Sequence, residues 1–199
     1  MVLKIVDVSS YQGDYKLGSY GEDGVIVKAT QGTNYVNPNC DFVAEQAISQ
    51  NKPWGISHYA TGADASAEAT YFVSNIQGYL EVANKPILWL TWVSNENAAW
   101  GSGVWAQTFI NKVKELTGHQ AGIYTGTDGV NQTGPYLSTE SALWFAGYPT
   151  SADVGWNPEP FPYAIGNWKV LTGWQFSATP IAKSLFYLDQ NQWDQIADH

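Results

Sequence analysis

The chain has 199 residues, 44% of them apolar, enough to bury one domain-sized core without disulfide or metal staples. Eighteen acidic residues against nine basic give a formal net charge of −9 with no Lys/Arg run, which argues against nucleic acid and anionic membrane surfaces as partners. A single cysteine, Cys40, excludes an internal disulfide, and three histidines without metal-ligand spacing give no reason to expect a metal.

In chain order, short apolar and β-branched runs mark eight candidate strands: 3–9 (LKIVDVS), 24–30 (GVIVKAT), 54–60 (WGISHYA), 86–93 (PILWLTWV), 121–126 (AGIYTG), 142–148 (ALWFAGY), 171–177 (LTGWQFS) and 184–189 (SLFYLD). Helical spacing fills residues 39–51, 65–80 and 104–118, the last with Gly118 as its stop. Between Gly126 and Leu171 the connections read as loops rich in Gly, Pro, Asn and Tyr, and the aromatics of 150–168 predict a packed loop. The opening residues run straight into a strand pattern without a secretory leader, and no stretch approaches ~18 consecutive apolar residues. The sequence therefore predicts a soluble protein with no signal peptide and no membrane span, exported, if at all, by another route.

Strand, helix, strand in alternation argues for a parallel sheet, and eight strands argue for closure. The predicted fold class is α/β: an irregular TIM-like barrel of about eight strands, with fewer helices in its C-terminal half, occupying residues 1–199 as a single domain. In such barrels the polar residues at the C-terminal strand ends face the ligand. That rule selects Asp7, Ser9, Lys28, Thr30, His58, Tyr59, Thr91, Val93, Tyr124, Tyr148, Trp174, Gln175 and Asp189. Two carboxylates, one lysine and many aromatics, among ten Trp and twelve Tyr in the chain, suit a carbohydrate cleft better than a phosphate site, which would need a glycine-rich turn before a helix. No cofactor is implied.

Five pieces in order, "DVSSYQGD", "VKATQGTNYVNP", "GISHYATGADASAEATYFV", "LTGWQFS" and "FYLDQNQW", resemble glycoside hydrolase family 25, the Chalaropsis-type lysozymes of bacteria and phage endolysins. The resemblance implies a muramidase that cuts the β-1,4 bond between N-acetylmuramic acid and N-acetylglucosamine in bacterial peptidoglycan. It also implies an acidic cluster: an Asp on the first strand, an Asp-x-Glu pair on the fourth and an Asp on the eighth. Carried onto this chain, these positions hold Asp7, Thr91 with Val93, and Asp189. The fourth-strand pair is thus replaced, and Val93 stands where the general acid belongs.

Glycoside cleavage ordinarily needs two carboxyl functions, and losing a positioned acid costs ~10²–10⁴ in rate. The sequence therefore predicts a muramidase domain with little or no activity. A glycan-binding module that does not cut and a stabilised lysozyme scaffold fit the same residues. Lys28, His58, Tyr59, Tyr124, Tyr148, Trp174 and Gln175 are the expected substrate-binding residues. Lys28 is equally well explained by an ion pair with a cleft carboxylate, and His58 better by a structural role than by catalysis. Asp7 and Asp189, relieved of two neighbouring charges, are expected to ionise more easily than in an intact acidic cluster and to be poor proton donors. Glu96 offers a weak substitute acid. Asp64 and Glu68 suit a helix N-terminus. The expected partner is the peptidoglycan glycan strand at the bacterial cell wall, reached by an endolysin-like release from the cytoplasm, and the chain is expected to be a monomer.

Overall fold

The chain begins with β1 (Leu3–Val8), whose inward residues Leu3 and Ile5 enter the floor of a barrel while Val6 and Val8 face outward. The structure, a computed structural model, describes residues 2–199. The remaining strands are β2 (Gly24–Gln31), β3 (Tyr35–Val36), β4 (Trp54–Tyr59), β5 (Ile87–Thr91), β6 (Gly122–Thr125), β7 (Leu143–Ala146), β8 (Gly173–Ser177) and β9 (Ala182–Phe186). From β1 through β2, β4, β5, β6 and β7 to β8 every neighbouring pair is parallel; β9 then pairs antiparallel with both β8 and β1 and closes an eight-stranded barrel. The two-residue β3 hangs antiparallel from the end of β2.

All eight strand runs legible in the sequence form strands, and the closed barrel is the predicted one. The direction of the last strand is not. Between β8 and β9 there is no room for a helical crossover, and a short connection can join only antiparallel neighbours.

Period-two alternation sorts side chains between two layers. The interior below the cleft is filled by Leu3, Ile5, Ile26, Ile87, Trp89, Trp144 and Phe186, all buried. Glycines make space for these rings: a Cβ on Gly122 would lie 2.4 Å from the Trp89 ring, and one on Gly173 would lie 2.6 Å from Phe186. The outer layer packs Val6, Val25, Val27, Ile56, Leu88, Leu90 and Ile123 against helices.

Five helices are present: α1 (Cys40–Ser49), α2 (Ala65–Leu80), α3 (Gly103–Thr117), α4 (Thr127–Leu137) and α5 (Gln190–Asp198). Helix α2 starts where the Asp64 side chain accepts from the Ala67 amide at 2.8 Å, and buries Ala69, Phe72, Val73 and Ile76 at three- and four-residue spacing. Helix α3 stops where Gly118 turns left-handed at φ 77°. Helix α4 corrects the loop reading of residues after Gly126. Its packed face is built of Gly129, Val130, Thr133, Gly134 and Leu137, and with only two apolar side chains among the five an apolar period barely registers it. Closeness dictates them, since a Cβ on Gly129 would fall 1.8 Å from Thr125 Oγ1.

Among the described residues no helix connects β7 to β8. Residues 150–168 lie in that connection as a packed loop, in keeping with their aromatic content: Phe161 and Tyr163 lie on Phe145 and Trp174, with ring centroids 5.0 to 6.5 Å apart. Helix α5 lies across the N-terminal mouth, where Trp193 packs on Phe186 at 5.1 Å and donates its indole N–H to the Trp54 carbonyl at 3.2 Å. Among the described residues no helix is long and apolar enough to cross a membrane.

Candidate active site

At the C-terminal ends of the parallel strands lies a cleft of about 280 Å³, lined by Asp7, Lys28, Ser57, Tyr59, Thr91, Tyr124 and Ala182, with Ser9, Tyr11 and Gln12 at one rim. Each residue from a parallel strand lies at or near the last inward position of its strand, and Ala182 begins the antiparallel β9, so alternation decides which of two adjacent candidates arrives. Tyr59 enters and His58 does not. Gln175 turns in and Trp174 does not.

Asp7 is the one carboxylate among the described lining residues. Its Oδ1 accepts from Gln175 Nε2 at 2.6 Å. Removal from water pushes its pKa up to about 7, against the partial opposing effect of the Gln175 amide. This corrects the expectation that Asp7 is a poor proton donor: the depth of the pocket keeps its carboxyl well above the usual aspartate range. Gln175 itself is 2% exposed and takes hydrogen bonds through Oε1 from the hydroxyls of Tyr124, at 2.7 Å, and of Tyr148. One amide thus orients an acid and two phenols, and burial raises the pKa of both tyrosines.

Lys28 sits between aromatic faces, its Nζ 4.7 Å from the Tyr59 ring centre and 5.2 Å from that of Tyr35. No carboxylate among the described residues lies at ion-pair distance; the ammonium instead donates to Gln31 Oε1 at 2.5 Å. Desolvation lowers its pKa. The expected ion pair with a cleft carboxylate is absent. A register shift between Lys28 and Thr30 explains the local arrangement: the bulge turns Thr30 outward to His58 and leaves Lys28 facing in.

Besides Thr30, three expected site residues lie elsewhere. His58, fully buried, faces the helices: Nδ1 meets Thr30 Oγ1 at 2.8 Å, Nε2 meets Glu68 Oε2 at 2.9 Å, and Phe109 stacks on the ring at 4.9 Å. Glu68 is no exposed helix-end charge. It is fully buried and also accepts from the Thr61 hydroxyl and the Thr61 and Ala63 amides, fixing the turn after β4. Trp174 faces outward and donates to the Gly147 carbonyl at 2.8 Å under the packed loop. Asp189 is displaced furthest. Because β9 runs antiparallel, its C-terminal end is at the opposite mouth, and Asp189 caps α5 by accepting from the Gln192 amide at 2.9 Å.

Thr91 occupies the end of β5 in the cleft, hydroxyl-bearing and half-buried. Val93, two residues on, is half-buried and contributes its carbonyl to Asn97 Nδ2 at 3.1 Å. Glu96 has a left-handed backbone at φ 55° and accepts from Gln31 Nε2 at 3.0 Å. It is exposed and does not line the cleft. Sequence reasoning missed Tyr11. Its ring, 94% exposed on the short 3-10 turn Ser10–Gln12, stands at the cleft edge, and the signal for it was an aromatic three residues past the end of β1.

The model of the glycosyl hydrolases family 25 matches residues 6–185, nearly the whole barrel. The chain belongs to that family. Among curated relatives it is 28% identical over 202 residues to the lysozyme of Streptococcus phage Cp-7, covering 96% of this chain, and 27% identical over 192 residues to lysozyme M1 of Streptomyces globisporus, covering 87%. The chain spans 55% and 61%, respectively, of the length of those two relatives. Solved structures share the fold end to end: a family GH25 lysozyme from Aspergillus fumigatus superposes with a TM-score of 0.80 at 24% identity, covering 99% of both chains. A muramidase from Trichobolus zukalii does so with a TM-score of 0.76 at 26% identity, covering 98% of both.

Proposed function

We propose that the Asp7 cleft of this family 25 barrel binds the glycan strand of bacterial peptidoglycan, and that the chain cuts the bond between N-acetylmuramic acid and N-acetylglucosamine slowly or not at all. The observation that carries this reading is that Asp7 is the single carboxylate among the described residues lining the cleft. Cleavage needs a proton at the leaving oxygen and stabilisation of positive charge at the anomeric carbon. Asp7, with a pKa of about 7, is half protonated at neutral pH and can supply only one of these at a time. Thr91, at the end of β5, has a hydroxyl that neither ionises nor delivers a proton at this pH.

Binding features are nevertheless in place. Tyr11, Tyr35, Tyr59 and Tyr148 offer ring faces for sugar C–H surfaces, and neutral Asp7, Ser57, Thr91 and Lys28 offer hydrogen-bond donors. The chain acts at the cell wall as one barrel domain and as a monomer. The alternative, a wall-binding module that never cuts, differs only in residual rate.

The test is loss of turbidity of purified Gram-positive walls with this chain and with the Thr91→Asp, Val93→Glu double variant. Inert parent and lytic variant are the expected pair. Lysis by the parent at a rate comparable with the variant would sink the reading, because a carboxyl outside the cleft lining would then have to supply the proton.

A further inference from the structure

At the N-terminal end of the barrel, away from Asp7, a cavity of about 640 Å³ opens between α5 and the residues that lead into β6, β7 and β8. Its size is that of a small-ligand site. Gln120, Asn167 and Gln195 supply amides and Ser141 a hydroxyl, while Trp168 and the 68%-exposed Val170 supply apolar surface. Gln120 is 7% exposed; its Nε2 donates to Ser141 Oγ at 3.0 Å, and its Oε1 has no hydrogen-bond partner among the described residues. That oxygen is shielded from solvent as the side chain stands, so a ligand meets it by turning the Gln120 amide toward the cavity, which gives the unpaired acceptor a partner.

We propose that this cavity is a second glycan-binding site that takes a neutral N-acetylhexosamine unit, an assignment that rests on the glycan reading of the Asp7 cleft. Side-chain amides both donate and accept, which matches acetamido and hydroxyl groups. The apolar side chains face the C–H surface of a sugar ring. The lining carries charges of both signs, Glu140, which meets Lys114 at 3.6 Å, and the exposed Lys169, so neither an anion nor a cation is favoured by net charge. Because the two sites open at opposite mouths of one barrel, they grip different strands, and the second raises retention on a wall by effective concentration.

The experiment is a titration of the ¹⁵N-labelled chain with an N-acetylglucosamine tetramer, following the side-chain amides of Gln120, Asn167 and Gln195 at the cavity and of Gln175 beside the cleft. Saturable shifts at both places are expected. Val170→Glu with Gln195→Ala, both at exposed positions, should weaken the cavity curve about two- to tenfold and leave the Gln175 curve unchanged. Shifts at Gln175 alone overturn this inference and keep the cleft reading. Shifts at the cavity alone keep the site and overturn the cleft reading, and silence at both overturns both. An equal cavity response to a glucose tetramer overturns the acetamido assignment.

Discussion

Asp7 shows how a single position changes meaning when its surroundings change. Burial raises its pKa from the ordinary 3.8 to about 7, so the folded chain holds the proton that the unfolded chain releases. The stability linked to this group is therefore fully present below about pH 4 and is lost as pH rises through about 7. Asp7→Asn should abolish that slope, and a ¹³C carboxyl titration should place the Asp7 midpoint near neutrality; a midpoint in the ordinary aspartate range would show the pocket to be wetter than its geometry implies. Gln175→Leu removes the amide that favours the ionised form and should move the same midpoint further up. Asp7, Lys28, Tyr59, Thr91 and Tyr124 were legible as cleft residues because each ends a strand run. His58 and Trp174 were misplaced because a strand end names two neighbours, and only the pleat says which one faces in.

Among elements, β9 with α5 determines most of what the sequence left unread. The run ending at Asp189 has strand character whichever way it points, and direction comes from the length of the connection before it. With β9 reversed, Asp189 becomes a helix cap. Asp189→Ala should therefore cost about 1 kcal/mol in chemical denaturation and leave retention on purified walls unchanged; a loss of retention at unchanged stability would return Asp189 to the site. Helix α5 is mostly polar and buries just Trp193 and Ala197, yet its indole closes the barrel floor. Trp193→Ala should cost about 3–5 kcal/mol by the same measurement, because the cavity it leaves is walled by Phe186 and the strands. Helix α4 escaped notice for a related reason: its contacts demand glycine and threonine, and an apolar period records only large side chains.

For the whole molecule, closure is the property that holds the cleft together. β9 bonds β8 on one side and β1 on the other, so Gln175 meets Asp7 only across a closed barrel. Truncation after Ser177 removes β9 and α5, leaves β1 and β8 as open edges and bares the interior cluster of Ile5, Trp89 and Trp144. Such a chain should aggregate and lose its near-UV circular dichroism; a soluble product with native aromatic signals would contradict the role given to closure. The sequence alone determined the eight strands, the barrel and the family, because these are written in local periodicity and in motifs of neighbouring residues. It also determined that Thr91 and Val93 stand where the resemblance expects an acidic pair. Tertiary structure alone decided that Asp189 lies at the far mouth, that His58 and Trp174 face outward and that burial raises the Asp7 pKa to about 7. Strand direction, pleat phase and desolvation arise from what is packed beside a residue, and for Asp7 and Gln175 that neighbour is 168 positions away along the chain.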